Sequence, residues 1–134
     1  MTTVRIFLVE DSSIIRQNLV EALRESLPVE VAGSADDEAT AVAWLRRERA
    51  TCDLVIVDIF LKSGSGLGVL KAMATFPGEP ARIVLSNHAT PEIRAKCLEL
   101  GATEVFDKSN QLEEMLGWLT RFARNGHAAA ASHS

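Results

Sequence analysis

Five short apolar runs recur along the chain, and each is followed by a segment with helical periodicity. Three of the runs, 4–9, 54–58 and 81–86, are almost continuously apolar, which is typical of parallel strands covered on both faces. The run at 29–35 alternates more with polar residues, which predicts an edge strand. A shorter run at 103–107 predicts the fifth strand.

The segments between these runs carry the helix signals. Thr90 before Pro91 predicts an N-cap and first helical position, and Asn110 with Glu113 three residues later resembles a capping box. The predicted helices cover 13–27, 36–49, 65–75, 91–100 and 111–124. The first should pack through a four-residue repeat of apolar side chains: Ile15, Leu19, Leu23 and Leu27.

Alternation of five strands with five helices predicts one α/β domain. It should be a doubly wound (βα)5 fold with a parallel five-stranded sheet and helices on both faces. We expect this domain to occupy 1–124, and the remaining 125–134, which lacks core-forming side chains, to be a disordered tail.

Composition argues against a nucleic-acid-binding domain and against a metal site built from cysteines. The length of 134 residues fits one domain, and the net charge of −4 argues against nucleic-acid binding by it. Arg46, Arg47 and Arg49 cluster, but cations suit the last turn of a helix. Cys52 and Cys97 lack metal-type spacing and are predicted to be buried, reduced thiols.

The sequence also lacks membrane and export signals. No apolar run is long enough to span a bilayer, and the start of the chain lacks the basic and long apolar regions of a signal peptide. We therefore expect a cytoplasmic protein that does not associate with membranes.

Polar side chains follow four of the five predicted strands. The first strand ends in Glu10 and Asp11, the third in Asp58, the fourth in Ser86, and the fifth in Asp107 and Lys108. Ligands of open α/β sheets bind beyond the carboxyl ends of the strands, so these side chains should meet in one pocket. Taken singly, each has an ordinary explanation, such as an acid that caps the next helix or a lysine at the surface.

Three clustered carboxylates repel one another and need positive charge. Lys108 supplies part of it, and oxygen ligands with open positions suit Mg²⁺, which Glu10 and Asp11 would hold. A cation, a lysine and the Ser86 hydroxyl together could stabilise a phosphoryl group. Asp58, central in this set, could itself be the nucleophile and form an aspartyl phosphate.

These residues resemble a known family, the response-regulator receiver domains of two-component signalling, over about residues 4–124. Each matching piece is weak alone, but their order along the chain is specific. The pieces are Glu10-Asp11, Asp58, Gly66, Ser86, "LGA" at 100–102, Phe106 and Lys108. The resemblance implies the strand order 2-1-3-4-5.

The resemblance also implies a mechanism and partners. A histidine kinase or phosphotransfer protein would donate a phosphoryl group from phosphohistidine to Asp58 with Mg²⁺ bound, and the backbone carbonyl of Phe60 would be a further metal ligand. Ser86 would then move toward the phosphoryl group and Phe106 would turn inward, although Phe106 could equally be a plain core aromatic. The helix 4–strand 5–helix 5 face would change its preference for an unknown target, and a phosphorylation-linked homodimer is compatible with this behaviour. The only catalysis implied is the protein's own phosphorylation and dephosphorylation.

The sequence departs from the family pattern at four positions. Lys62 and Ser109 replace common prolines, and "KSGSG" at 62–66 should therefore be more flexible. Asn87 stands where Ala or Gly is common, and it could crowd the site or donate a hydrogen bond. His88 follows; it is either a modulator of dephosphorylation or an ordinary solvated loop histidine.

Three other interpretations compete with the switch. A flavodoxin-like cofactor binder would need a phosphate loop after the first strand, which "EDSSIIR" does not provide. An aspartate-nucleophile phosphatase would need a second acid where Phe60 stands. A receiver-like binding module that acts without phosphorylation would not need the intact acidic pair, Asp58 and Lys108.

Two features of the sequence each allow two interpretations. The chain has no room for an output domain, so it is either a stand-alone receiver or a fragment. Trp118 lies about 100° from the centre of the last helix's apolar face, judged from 3.6 residues per turn. It is either an interface residue or a ring lying along its own helix.

Overall fold

A computed structural model describes residues 1–76 and 80–126. Its strands form one sheet in the order β2-β1-β3-β4-β5. The strands are β1 (Val4–Val9), β2 (Val29–Ala35), β3 (Leu54–Val57), β4 (Ala81–Ser86) and β5 (Glu104–Asp107). The helices are α1 (Ser13–Ser26), α2 (Glu38–Glu48), α3 (Gly66–Met73), α4 (Pro91–Glu99) and α5 (Leu112–Arg124), and a 3-10 turn (Arg49–Thr51) follows α2. The predicted fold class and strand order are confirmed.

Every neighbouring pair of strands is parallel, so the carboxyl ends of the strands line up at one edge of the sheet. Val9 at the end of β1 pairs with Val57 at the end of β3. Ser86 at the end of β4 pairs with Asp107 at the end of β5. Residues that directly follow these ends are therefore neighbours in space, although they are far apart in sequence.

Alternate side chains of each strand enter two different cores. On β1, Ile6 and Leu8 face the core shared with α1 and α5, whereas Phe7 and Val9 face the core shared with α2, α3 and α4. The central strand β3 is buried at all four positions. This two-sided burial explains why its sequence is continuously apolar, because both faces of the strand lie in apolar surroundings.

Several local predictions are confirmed. The Thr90 hydroxyl caps α4 by accepting a hydrogen bond from the backbone N–H of Ile93 at 3.2 Å. Arg46 and Arg47 lie in the last turn of α2, whereas Arg49 is the residue that ends the helix and begins the 3-10 turn. Cys52 and Cys97 are free and buried, and burial raises the pKa of the Cys52 thiol to about 12.

The first helix differs from the sequence prediction at Ile15. Leu19, Leu23 and Leu27 are buried as expected, but Ile15 is 37% exposed. It lies in the first turn of α1, beyond the edge of the sheet, and lines a surface groove.

The last helix also differs. The proposed capping box is wrong, because α5 begins at Leu112 after Gln111, and no side chain caps it. Trp118 as a flanking interface residue is also wrong: it is only 8% exposed and stacks on Phe122 with ring centroids 5.2 Å apart. Leu112, which the sequence pattern places on the apolar face, is 36% exposed. The buried face of α5 is therefore centred nearer Trp118 than the pattern indicates.

The predictions for the C-terminal tail and for membrane spans differ in how far the structure bears on them. Of the tail predicted at 125–134, residues 127–134 lie outside the described residues. Among the helices of residues 1–76 and 80–126, none combines the length and apolar character needed to cross a bilayer.

Candidate functional site

Three carboxylates meet at the carboxyl edge of the sheet. One oxygen from each of Glu10, Asp11 and Asp58 lies within 4.8 Å of the others. Glu10 and Asp58 are buried, with 5% and 8% of their surface exposed. The sequence prediction that these three acids share one site is therefore matched by their placement.

The sheet itself positions these side chains. The backbone N–H of Asp58 donates to the Val9 carbonyl at 2.9 Å, which extends the β1–β3 pairing by one residue. The Lys108 N–H likewise donates to the Ser86 carbonyl at 2.9 Å beyond β4 and β5. Because these bonds fix the backbone just beyond the strands, the side chains of Glu10, Asp58 and Lys108, which directly follow β1, β3 and β5, converge.

The Lys108 ammonium bridges two of the acids. It donates to Glu10 Oε1 and, at 3.1 Å, to Asp58 Oδ2. Burial opposes a charge on this amine, but the bonds to Glu10 and the charge of Asp58 outweigh burial, and the pKa of Lys108 is raised. Lys108 is therefore a fixed cation inside the site and not a freely solvated surface lysine.

Glu10 and Asp11 have different surroundings. Glu10 Oε2 accepts a hydrogen bond from the Ser12 N–H at 3.2 Å, and the Glu10 carbonyl accepts one from the Arg16 guanidinium. Burial, followed by the neighbouring Glu10 carboxyl, raises the pKa of Asp11. Ser12 is the residue that caps α1, so the alternative that Asp11 serves as the cap is wrong.

The donor set fits a hard divalent cation. Three carboxylates face one ammonium, which leaves the cluster with excess negative charge. Mg²⁺ prefers such oxygens, keeps several waters and takes few carboxylates directly, and Asp11 is the most open of the three. Burial first, and then the neighbouring Glu10 carboxyl, raise the pKa of Asp11, and a bound cation would oppose both effects.

Ser86 is the last residue of β4, at the carboxyl edge of the sheet, and Phe106 lies within β5. Ser86 is completely buried, and its hydroxyl has no hydrogen-bond partner within residues 1–76 and 80–126. A buried hydroxyl without a partner costs about 1–3 kcal/mol, so an acceptor arriving near it would be stabilising. Phe106 is 6% exposed, with its ring in the core under α1 and α5.

The rim of the site is apolar and exposed. Phe60 is 52% exposed and meets the exposed His88 edge to face, with ring centroids 6.1 Å apart. The backbone N–H of Phe60 donates to Asp58 Oδ1 at 3.4 Å. On the other side of the site, a groove of about 210 Å³ opens next to Lys108. Its lining is Ile15, Asn18, Leu19, Leu85, Asn87, Lys108 and Leu112.

Sequence reasoning missed two groups of contacts around the site. The loop after Asp58, predicted to be flexible, is held by the start of α2 and by the segment just before it. Lys62 pairs with Asp36, which precedes α2, at 2.7 Å, and Glu38 at the start of α2 accepts the Ser65 N–H at 2.9 Å. Sequence patterns hold no signal for such contacts, because they join loops to helices that are distant along the chain.

The second missed group centres on Arg94 of α4. Its guanidinium donates to the carbonyls of Ala89 and Val105, at 3.0 and 2.9 Å, and to the Gln111 side chain. The same Gln111 oxygen accepts the Asp107 N–H at 2.9 Å, which explains why Gln111 and not a capping box opens α5. These bonds tie α4, β5 and α5 together.

Comparison with known proteins identifies the family. The model of the response regulator receiver domain matches residues 6–120, and the chain therefore belongs to that family. A protein-glutamate methylesterase/protein-glutamine glutaminase of Anaeromyxobacter dehalogenans is 34% identical over 78% of this chain and 29% of its own length. One from Myxococcus xanthus is 28% identical over 98% of this chain and 39% of its own length. The chain thus spans well under half of these relatives.

Solved structures agree with this assignment. The receiver domain of a response regulator, NarL, from Mycobacterium tuberculosis is 25% identical, with a TM-score of 0.79 over 92% of this chain and 98% of that one. The response regulator domain of Thermotoga maritima CheB is 21% identical, with a TM-score of 0.77 over 95% of this chain and 98% of that one. The second likeness concerns the fold alone.

Proposed function

We propose that the protein is a phosphorylation-dependent signalling switch in which Asp58 accepts a phosphoryl group. The observation that carries this proposal is the contact of the Lys108 ammonium with buried Asp58 and Glu10, inside a cluster of three carboxylates. A receiver-like module that only binds proteins would have no use for a buried acid paired to a lysine, since such pairs contribute little net stability.

Mg²⁺ is the cofactor that this proposal requires. Glu10, Asp11 and Asp58 would hold it, together with the backbone carbonyl of Phe60. Bound there, it would neutralise the carboxylates and the oxygens of an incoming phosphoryl group. The fit rests on three clustered hard oxygens and on their excess negative charge.

The transfer step balances without any further reactant. A carboxylate oxygen of Asp58 forms a bond to phosphorus while the phosphorus–nitrogen bond of the donor's phosphohistidine breaks. The electron pair stays with the donor imidazole, whose nitrogen then takes up a proton. Lys108 already contacts Asp58 Oδ2, so its ammonium lies where a phosphoryl oxygen would need a cation.

The product would alter the site's surroundings. A phosphoryl group adds about 1.5–2 negative charges and three acceptor oxygens. The Ser86 hydroxyl, buried and unpartnered within the described parts of the chain, would gain an acceptor by moving toward it. Phe106 would turn inward into the space that Ser86 leaves, and the α4–β5–α5 face would change its target preference through the contacts of Arg94.

The donor would be a histidine kinase or phosphotransfer protein of the cytoplasm. Its imidazole must reach Asp58, so its surface must cover the rim beside Lys108. The apolar groove between α1 and the start of α5 lies there. Asn87 and His88, both exposed at the end of β4, would modulate how long the phosphoryl group survives. The downstream partner would be another protein or a second copy of the chain, and we propose no nucleic-acid or membrane partner.

Phosphorylation by a small donor tests the proposal. Wild type, Asp58→Asn and a remote control, Asp53→Asn at the opposite edge of the sheet, are incubated with acetyl phosphate, with Mg²⁺ or with EDTA. Intact mass should show one added phosphoryl group on wild type and the control, only with Mg²⁺. Asp11→Asn should reach the same yield but need more Mg²⁺. Full phosphorylation of Asp58→Asn, or none of wild type, would overturn the proposal; the latter would favour the binding module.

A further inference from the structure

Glu38, the first residue of α2, forms hydrogen bonds with the loop between β3 and α3. Its carboxylate Oε1 accepts the Ser65 N–H at 2.9 Å. Its own backbone N–H donates to the Ser63 carbonyl at 3.1 Å. Glu38 thus holds the loop at two points, and the proposed phosphoryl transfer does not itself use this residue.

Two glycines make room for this side chain. Gly64 has φ +75°, and a Cβ placed there would lie under 3.0 Å from the Glu38 Cβ. A Cβ on Gly68, in the first turn of α3, would lie under 3.0 Å from the Glu38 carboxylate carbon. The Glu38 side chain therefore occupies space that exists only because both positions lack a side chain.

Hydrogen bonds connect the loop residues that Glu38 contacts to Asp58, the proposed phosphoryl acceptor. Ser65, which Glu38 holds, pairs with Phe60 in an antiparallel bridge. The next residue, Gly66, donates its N–H to the Ile59 carbonyl at 2.9 Å. Phe60 in turn donates its N–H to Asp58 Oδ1 at 3.4 Å. Backbone contacts within one short loop thus link Ser65, whose N–H the Glu38 carboxylate accepts, to Phe60, whose N–H donates to the Asp58 carboxylate.

The other tie of this loop is weaker. Lys62 pairs with Asp36 at 2.7 Å, but their side chains are 57% and 41% exposed. Ion pairs this exposed contribute little, and salt screens them. Glu38 is partly buried and bonds to backbone groups, so it is the main restraint on the loop.

We infer that Glu38 is a positioning residue for the acceptor site. By fixing Ser63 and Ser65 it holds the backbone of residues 58–60, and so the Asp58 carboxylate and the Phe60 carbonyl, in place for a divalent cation. This inference rests on the proposed function. Proline is common in the family at the position of Lys62, and its ring would restrict the backbone there. The contacts of Glu38 explain how the loop can be ordered without that proline.

Four single variants and one double variant test the inference through Mg²⁺ affinity, measured by calorimetry on the unphosphorylated protein. Glu38→Ala should raise the Mg²⁺ dissociation constant about tenfold, the scale typical of residues that orient metal ligands. Glu38→Gln should stay within about twofold, because its amide oxygen can still accept the Ser65 N–H. Glu48→Ala, the same change of charge at the far end of α2, should have no effect.

Gly68→Ala separates positioning from helix stability. Alanine has a higher helix propensity than glycine, so this change should not weaken α3 through its backbone. The added methyl group would, however, displace the Glu38 carboxylate. We expect a rise in the Mg²⁺ dissociation constant similar to that of Glu38→Ala, with loss of hydrogen-exchange protection at the Ser65 amide and intact protection in α2. In the double variant Glu38→Ala/Gly68→Ala, the second change should add nothing.

The outcomes distinguish two failures. If wild type binds Mg²⁺ and both Glu38→Ala and Gly68→Ala bind it equally well, the positioning role is wrong and the proposed function stands. If wild type binds no Mg²⁺ and takes no phosphoryl group, the proposed function itself is wrong and the positioning role falls with it. A purely structural role for Glu38 would lower stability in Glu38→Ala without changing Mg²⁺ affinity, and that result would also overturn the inference.

Discussion

Lys108→Met removes the ammonium group that contacts Glu10 and Asp58 while keeping a side chain of similar length. The Lys108, Glu10 and Asp58 side chains are 13%, 7% and 10% exposed. Each bond to a charged group is worth about 1.5–3 kcal/mol, and leaving a buried charge unpaired costs about 3–5 kcal/mol. Water reaches the open Asp11 side of the cluster and reduces this cost. We therefore expect the free energy of unfolding to fall by about 2–4 kcal/mol in Mg²⁺-free buffer.

Mg²⁺ and acid should both rescue this variant. Mg²⁺ that binds only the native state at 100 times its dissociation constant adds about 2.7 kcal/mol. Burial and Glu10 raise the pKa of Asp11, so the native state binds this proton more tightly than the unfolded state. Stability from that proton is present at low pH and is lost as pH rises through the raised pKa. Without Lys108, whose charge opposes the shift, the gain on acidification from neutral pH should be larger than in wild type.

Urea unfolding followed by tryptophan fluorescence measures these effects, with Lys71→Met on the exposed face of α3 as the control. Wild type, Lys108→Met and the control are compared in EDTA and in saturating Mg²⁺. Lys108→Met should be the least stable in EDTA and should gain most from Mg²⁺. Equal stability of Lys108→Met and wild type in EDTA, or an equal gain from Mg²⁺, would refute the proposed electrostatics.

The remaining predictions concern the cores and the α4–β5–α5 face. Cys52 and Cys97 should resist thiol reagents at pH 8 until the protein unfolds, because both are buried and the pKa of Cys52 is about 12; rapid labelling of the native protein would contradict this. Trp118→Ala should lower the free energy of unfolding by about 3–5 kcal/mol, since it empties a buried ring site; a change within experimental error would restore Trp118 as a surface residue. Arg94→Ala should cost about 1.5–3 kcal/mol, with the exposed Arg124→Ala near neutral, and equal losses would show that the Arg94 bonds are unimportant.

The sequence was most informative where burial is two-sided and strands end abruptly. The apolar run before Asp58 predicted β3, and β3 is buried at every position. The acid after that run lies at the sheet edge because the parallel register aligns the strand ends. These features depend on local pattern and on the geometry shared by all parallel sheets.

Other features depend on contacts between distant segments. Met115, Leu119 and Phe122 are buried as the pattern indicates, but the buried face of α5 extends to Trp118 and leaves Leu112 partly exposed. Gln111 opens α5 because its side chain is already bonded to Asp107 and Arg94. Glu38 reaches a loop 27 residues away, and no periodicity within α2 marks that contact.

Mapping the phosphorylated residue tests the central claim most directly. Protein treated with acetyl phosphate and Mg²⁺ is reduced with borohydride, which converts an aspartyl phosphate to homoserine, and the peptides are sequenced by mass spectrometry. We predict homoserine at position 58 alone, with Glu10 and Asp11 unchanged. Modification at Glu10 or Asp11, or an unmodified Asp58 in protein that has gained a phosphoryl group, would contradict the assignment of Asp58 as the acceptor.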